Sequence, residues 1–203
     1  HAHHCLRKSI NIAGLREVIV KNINLDNNFR LTSQNIGYEI NKDLKKIRAH
    51  RKVRIGKEST QGLGAGTSTE AGRLAAEESK EELTQILEGT DMVFLAAGLG
   101  GGTGGGAIPF IAEIAKQQGA LAIAVVTTPF GFEGSFRMRS ADRAFEELKG
   151  KVDTLLVIPN DQIIKLSDAE TTVVSAFWKA DEVLQQAVQG ISDLIVMPGI
   201  INV

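Results

Sequence analysis

Apolar residues fall into two kinds of run along this chain. Residues 91–97 (Asp91-Met92-Val93-Phe94-Leu95-Ala96-Ala97), 121–127 and 152–158 are short and almost continuously apolar. Such runs predict strands buried on both faces. Between them, apolar residues recur at helical spacing. The stretch 70–87 carries Ala75, Leu83, Ile86 and Leu87 and ends at Gly89, and 107–118 ends at Gly119. Residues 135–148 predict a charged amphipathic helix. Residues 171–195 predict a long one through Val174, Phe177, Ala180, Val183, Leu184, Ala187, Val188, Ile191 and Leu194. Thr128-Pro129 ends the second strand, and Pro159-Asn160-Asp161 closes the third. Alternation of strand and helix predicts an α/β fold, a parallel sheet with helices on both faces. Ligands of such sheets bind at the carboxyl ends of the strands.

The first 60 residues are less regular. Val18–Ile23 reads as a strand. Residues 32–55 are polar and basic, with Lys42, Lys45, Lys46, Arg48, Arg51, Lys52 and Arg54, and Lys57 just beyond. A solvated face is favoured over a nucleic-acid surface, since only Tyr38 is placed to stack on a base and Asp43 interrupts the run. The net charge of −1 gives no global field toward nucleic acid or anionic membrane. Hydrophobic content of 43% and one cysteine, Cys5, fit a globular domain from a reducing compartment. No apolar run approaches the ~20 residues that span a bilayer. The chain opens on His1 without a methionine, which predicts a fragment, a processed form or an altered start. His1, His3, His4 and Cys5 read as a terminal tail or tag before they read as a metal site.

Candidate chemistry concentrates at residues 98–106, Gly-Leu-Gly-Gly-Gly-Thr-Gly-Gly-Gly. Strand, glycine loop and helix are the layout of a phosphate-binding turn, which predicts nucleotide binding, with a tight βα turn that holds no ligand as the plainer reading. Glycines let backbone N–H groups crowd an anion, and the helix that follows turns its unpaired N–H groups to the same point. A plain βα turn needs far fewer glycines than the seven in these nine residues. A P-loop is excluded because no Lys-Ser/Thr follows. The dinucleotide pattern Gly-x-Gly-x-x-Gly is met by Gly100, Gly102 and Gly105, but the next strand ends in Thr127-Thr128-Pro129 with no acid at its tip. An NAD(P)-dependent oxidoreductase therefore stands as the alternative.

The run from Gly100 to Gly106 resembles the signature loop of the tubulin/FtsZ family of GTPases, with the nearest likeness in its bacterial-type cell-division branch. Collinear motifs extend the likeness over residues 53–203. Gly62-Leu63-Gly64-Ala65-Gly66 resembles a second glycine loop of the family. Residues 126–134 (Val-Thr-Thr-Pro-Phe-Gly-Phe-Glu-Gly) resemble its ribose loop. Residues 152–161 resemble the strand and loop before its central helix. Ala176-Phe177, residues 180–184 and residues 189–193 resemble that helix. Residues 198–203 resemble the start of the loop after it. The likeness implies a Rossmann-like GTPase domain. Gly100, Gly101, Gly102, Thr103, Gly104 and Gly105 would wrap the phosphates of GTP or GDP. Gly64, Ala65 and Gly66 would close over the γ-phosphate side. Thr127, Pro129 and Glu133 would shape the ribose pocket, with Arg137 as a nearby cation. Asn160, Phe177 and Asp181 would hold the base. Phe177 and Asp181 are four apart on one helix face, where a carboxylate can accept from the guanine N1–H/N2–H₂ edge. On the residues alone the plainer readings are favoured: Glu133 as a helix cap, Arg137 and Asp181 as surface charges, and Phe177 as core.

The chain departs from the family pattern in four places. No first strand and glycine loop is recognisable in residues 1–20, which predicts an unpaired edge on strand 91–97. Asn24-Leu25-Asp26 only weakly resembles the next nucleotide loop, and Gly105 stands where a hydroxyl or another small residue is usual. The loop begun by Asn202 stops before the two aspartates that the likeness implies, so no catalytic residue is expected within this chain. The expected division is an atypical segment 1–52, a GTP-binding core 53–170 and a central-helix segment 171–203, without the C-terminal domain. The implied function is a GTP-binding cell-division protein that forms head-to-tail filaments, builds the cytokinetic ring and hydrolyses GTP at subunit interfaces, with Mg²⁺ accompanying the triphosphate. The implied partners are copies of itself, membrane tethers and other division proteins, without nucleic acid or membrane insertion. The implied location is the cytoplasm at the division site, or an organelle interior. A non-hydrolysing fragment that modulates filaments is the non-enzymatic alternative.

Overall fold

The computed structural model describes residues 18–23, 37–40, 51–61, 64–165 and 172–196. The tail histidines, Cys5, the basic residues 42–48, Asn24 to Asp26, Gly62, Leu63 and Asn202 lie outside the described residues. Among the described residues, six strands form one sheet in the order β3-β2-β1-β4-β5-β6. They are β1 (Val18–Ile23), β2 (Gly37–Ile40), β3 (Arg51–Val53), β4 (Met92–Gly98), β5 (Leu121–Thr128) and β6 (Thr154–Pro159). Strands β4, β5 and β6 are parallel, with Met92 opposite Leu121 and Ile123 opposite Thr154. Strands β2 and β3 are also parallel.

Strand β1 runs antiparallel to both neighbours. Val20 lies opposite Tyr38 on one side and Leu95 on the other. This corrects the expectation of a bare edge on β4: Val18–Ile23 forms the expected strand and takes the place beside it. The β-branched residues Val18, Ile19, Val20 and Ile23 suit a sheet interior. An antiparallel strand fills the slot as well as a parallel one because either direction satisfies the row of N–H and C=O groups on β4.

The helices are α1 (Thr69–Glu78), α2 (Lys80–Leu87), α3 (Gly102–Gln117), α4 (Ser135–Lys149), α5 (Asn160–Lys165) and α6 (Val173–Val196), with a 3₁₀ turn at Gly131–Glu133. The stretch 70–87, expected as one helix, is two, because Ser79 (φ −100°, ψ 19°) leaves helical geometry and its N–H turns back to the Ala76 carbonyl at 3.1 Å. Strands β4 and β5 are buried on both faces. Strand β6, expected to be buried like them, is not: it ends the sheet order of the described residues, its residues are half-buried or exposed, and Leu156 is 37% exposed. Val93, Leu95, Ala97, Ala122, Ala124 and Val126 pack with Leu83, Ile108, Ile111 and Leu148 of the helices on one side. The alternate residues Phe94, Ala96, Ile123 and Val125 pack with Leu184 and Val188 of α6 on the other. Each such fully buried large side chain contributes about 1.5–3 kcal/mol, and together they fix the strand ends that carry the site.

Candidate functional site at the strand ends

Strand β4 stops at Gly98, and the Leu99 N–H donates to the Thr127 carbonyl at 2.8 Å, tying the glycine loop to the tip of β5. Gly100 has φ +92°, a left-handed conformation that favours glycine. A Cβ there would stand 2.6 Å from Pro129 Cγ and 2.9 Å from the Arg137 carbonyl oxygen. The turn thus brings Gly100, Pro129 and Arg137 together. Gly101 occupies the N-cap of α3 with no side chain to cap it, and a Cβ there would meet nothing within 4 Å.

Helix α3 begins at Gly102, not at 107 as its periodicity predicts. Most of the glycine run is therefore helix rather than loop. Glycine-rich sequence and Pro109 both argue against helix here, since glycine costs about 1 kcal/mol per position and proline removes a backbone donor. Packing overrides propensity. A Cβ on Gly102 would lie 2.4 Å from the Ser68 carbonyl oxygen, one on Gly106 2.0 Å from that of Thr69, and one on Gly104 2.3 Å from that of Gly98. These glycines let α1 and β4 press backbone-to-backbone on the first turns of α3.

The second glycine segment lies against that same helix end. Gly64 (φ +81°) and Gly66 (φ +56°) turn the chain so that the Gly66 carbonyl accepts from the Gly102 N–H at 2.8 Å. The Ala65 carbonyl accepts from Ser68 N–H at 3.0 Å, and Ser68 Oγ caps α1 by accepting from Ala71 N–H at 3.2 Å. Of the first-turn amides of α3, that of Gly102 is thus taken. Those of Thr103 and Gly104 have no intrahelical partner by geometry and no capping side chain. Together with the positive end of the helix dipole they suit an anion.

The β5 tip carries the next group. Thr127, Pro129 and Phe130 are buried. The Glu133 carboxylate accepts from the Phe130 N–H at 2.9 Å through Oε1 and from the Arg137 guanidinium at 2.9 Å through Oε2. Glu133 therefore caps its own turn and pairs with Arg137, which keeps its remaining donors. Farther along, Asn160 opens α5 at the tip of β6. It is 3% exposed, and its Oδ1 has no hydrogen-bond partner among the described residues. Asp181 on α6 is 6% exposed. Phe177, one turn before it, is half-buried. Its ring stands edge-on to Phe130, with centroids 5.0 Å apart, and to Phe132 at 6.2 Å, while Phe130 and Phe132 stack at 5.0 Å. Ile163 of α5, Phe130 and Ala176 and Ala180 of α6 share one buried cluster, which joins these elements.

Sequence reasoning did not single out Phe130, Phe132 or Asp161 as site-shaping residues. Asp161 accepts from the Gly131 N–H at 2.8 Å and so holds the Phe-Gly-Phe turn. The signal available was that glycine between two phenylalanines. Among the described residues no group of three or more His, Cys, Asp or Glu could hold a metal.

The chain matches the family described as Tubulin/FtsZ family, GTPase domain, over residues 13–168. It belongs to the tubulin/FtsZ family. The match reaches upstream of the motifs that begin at residue 53 and takes in the segment that carries β1. The chain is 52% identical over 160 residues to Cell division protein FtsZ 1 of Thermococcus kodakarensis, which covers 79% of this chain and 43% of that protein. The chain thus spans less than half the length of this curated relative. Among solved structures it is similar to the empty FtsZ dimer of M. jannaschii, with a TM-score of 0.77 and 47% identity, covering 81% of this chain and 48% of that one. CetZ2 from Haloferax volcanii, solved as a GTPγS-bound protofilament, shares the fold at a TM-score of 0.69 and 23% identity, covering 79% of this chain and 50% of that one. A tubulin/FtsZ GTPase domain accounts for the open sheet with helices on both faces.

Proposed function

We propose that this chain is the guanine-nucleotide-binding part of an FtsZ-type cell-division GTPase. The observation that carries this reading is the uncapped start of α3, where the Thr103 and Gly104 amides face no intrahelical partner beside the side-chain-free Gly101. The phosphates of GTP or GDP would lie there, along Gly100, Gly101, Gly102, Thr103, Gly104 and Gly105, with Gly64, Ala65 and Gly66 over the γ-phosphate. Thr127, Pro129 and Glu133 would shape the ribose site, the carboxylate accepting from sugar hydroxyls with lone pairs that Phe130 and Arg137 leave open. Asn160, Phe177 and Asp181 would hold the base, and the lone Oδ1 of buried Asn160 supports a ligand donor at that place. A Mg²⁺ ion would come with the triphosphate and draw its ligands from phosphate oxygens.

In this reading residues 53–170 form the nucleotide-binding core, the upstream strands β1 and β2 extend its sheet, and the central helix follows. The whole molecule associates head to tail and works in the cytoplasm at the division site with membrane tethers and other division proteins. Hydrolysis occurs at subunit interfaces, on a neighbour's GTP, through two aspartates of the loop that Asn202 begins. Heterologous contacts of this kind leave open filaments. The deciding experiment is equilibrium binding of a fluorescent GTP analogue with competition by GTP, GDP, ATP and NADH. GTP and GDP are expected to displace it and NADH is not. Displacement by NADH alone would replace this reading with the dinucleotide one.

A further inference from the structure

We propose that Glu78 is a positioning residue for the phosphate end of the nucleotide site, acting through the segment that carries Gly64, Ala65 and Gly66. The inference rests on the nucleotide reading. Glu78 is the last residue of α1. Its carboxylate accepts from the Glu58 N–H at 2.9 Å, the Ser59 N–H at 3.0 Å and the Ser59 hydroxyl at 2.8 Å. At the opposite end of α1, Ser68 caps the helix and the neighbouring Gly66 holds the Gly102 amide. The chain leading into α1 is thus fastened at both ends of that one helix.

Helix α1 is itself fixed to the phosphate helix. A Cβ on Gly72 would lie 2.0 Å from the Gly102 carbonyl oxygen, so the two backbones touch at the start of α3. Residues 60 and 61, just past the first fastening, are themselves held. Thr60 Oγ1 donates to the Gly56 carbonyl at 2.9 Å, and Gln61 holds φ +49°, a conformation uncommon outside glycine. Without Glu78, the turn at 57–60 loses three bonds to α1, and Gly64, Ala65 and Gly66 lose one of the two anchors that set their distance from α3. A segment that must be ordered on binding weakens affinity, whereas one already ordered does not. Glu77, beside it, pairs at i,i+4 with Arg73 at 2.9 Å. The Ser59 and Glu58 amides keep the Glu78 carboxyl below the usual carboxylate range, so it stays ionised as an acceptor.

The test is the binding of fluorescent GTP and GDP analogues to the unmodified chain and to Glu78→Ala, Glu78→Gln and Glu77→Ala, with thermal melting of each. Glu78→Ala is expected to weaken GTP roughly threefold to tenfold more than GDP. Glu78→Gln, which keeps one acceptor oxygen, should fall between, and Glu77→Ala should change neither nucleotide. A merely structural role would lower the melting temperature and weaken both nucleotides in proportion. That outcome, or unchanged binding of both, overturns the inference. If the unmodified chain binds neither analogue, the nucleotide reading itself fails and this inference falls with it.

Discussion

Gly72 and Gly102 meet backbone to backbone: a Cβ on Gly72 would stand 2.0 Å from the carbonyl oxygen of Gly102. Gly101, the very next residue back, faces open space. Two adjacent glycines of the signature run therefore serve different ends, one close packing and one access. Gly72→Ala should force α1 from α3 and cost about 1–3 kcal/mol or more by overpacking. Gly101→Ala should cost at most about 1 kcal/mol of fold stability, as a poorer N-cap, yet weaken nucleotide binding strongly because its methyl group enters the proposed phosphate space. Urea unfolding and nucleotide titration of the two variants check this. Equal stability losses, or full affinity in Gly101→Ala, would contradict it.

Asp181 is buried at 6% exposure on the same helix face as Phe177. If it reads the N1–H/N2–H₂ edge of guanine, Asp181→Ala should cost GTP roughly tenfold or more in affinity, in line with loss of a charge-assisted hydrogen bond. ATP binding, weak at the outset, should change little. Competition titrations with both nucleotides measure the difference. Equal proportional losses would remove Asp181 from the base pocket.

Lys151 ties the phosphate helix to the next one. Its ammonium reaches Glu113 of α3 at 2.8 Å and Glu147 of α4 at 2.9 Å. Burial lowers its pKa, but the bonds to Glu113 and Glu147 outweigh that and hold it above the ordinary 10.5. A pKa raised in the folded state contributes stability that is fully present below 10.5 and is lost as pH rises through the higher folded value. Lys151→Met should therefore cost up to about 1 kcal/mol at neutral pH, limited by solvent screening of the partly exposed partners. The gap between variant and parent should close above that pH. Urea midpoints across the alkaline range would show it, and a gap independent of pH would refute it.

Much of the core was legible in the residues. The runs 91–97 and 121–127 fall within a residue of β4 and β5 at each end, because continuous apolar sequence has few homes other than a strand covered on both faces. Residues 152–158 gave β6 with its ends shifted, and α4 matched to one residue. The start of α3 was not legible. Glycines and Pro109 carry no helical signal, and their helix exists because α1 presses on it. The role of Glu133 was ambiguous by spacing, and the structure resolves its present partners as Phe130 and Arg137.

The sequence by itself determined the alternation of strands and helices and the placing of glycines at the end of β4, since periodicity and backbone freedom are local properties. Only the tertiary structure decided three further things: that Val18–Ile23 pairs antiparallel beside β4, that most of the glycine run is helix, and that Glu78 reaches across to residues 58 and 59. Each depends on groups far apart in the chain, whose pairing is set by burial and hydrogen-bond satisfaction across the whole fold rather than by any neighbouring residue.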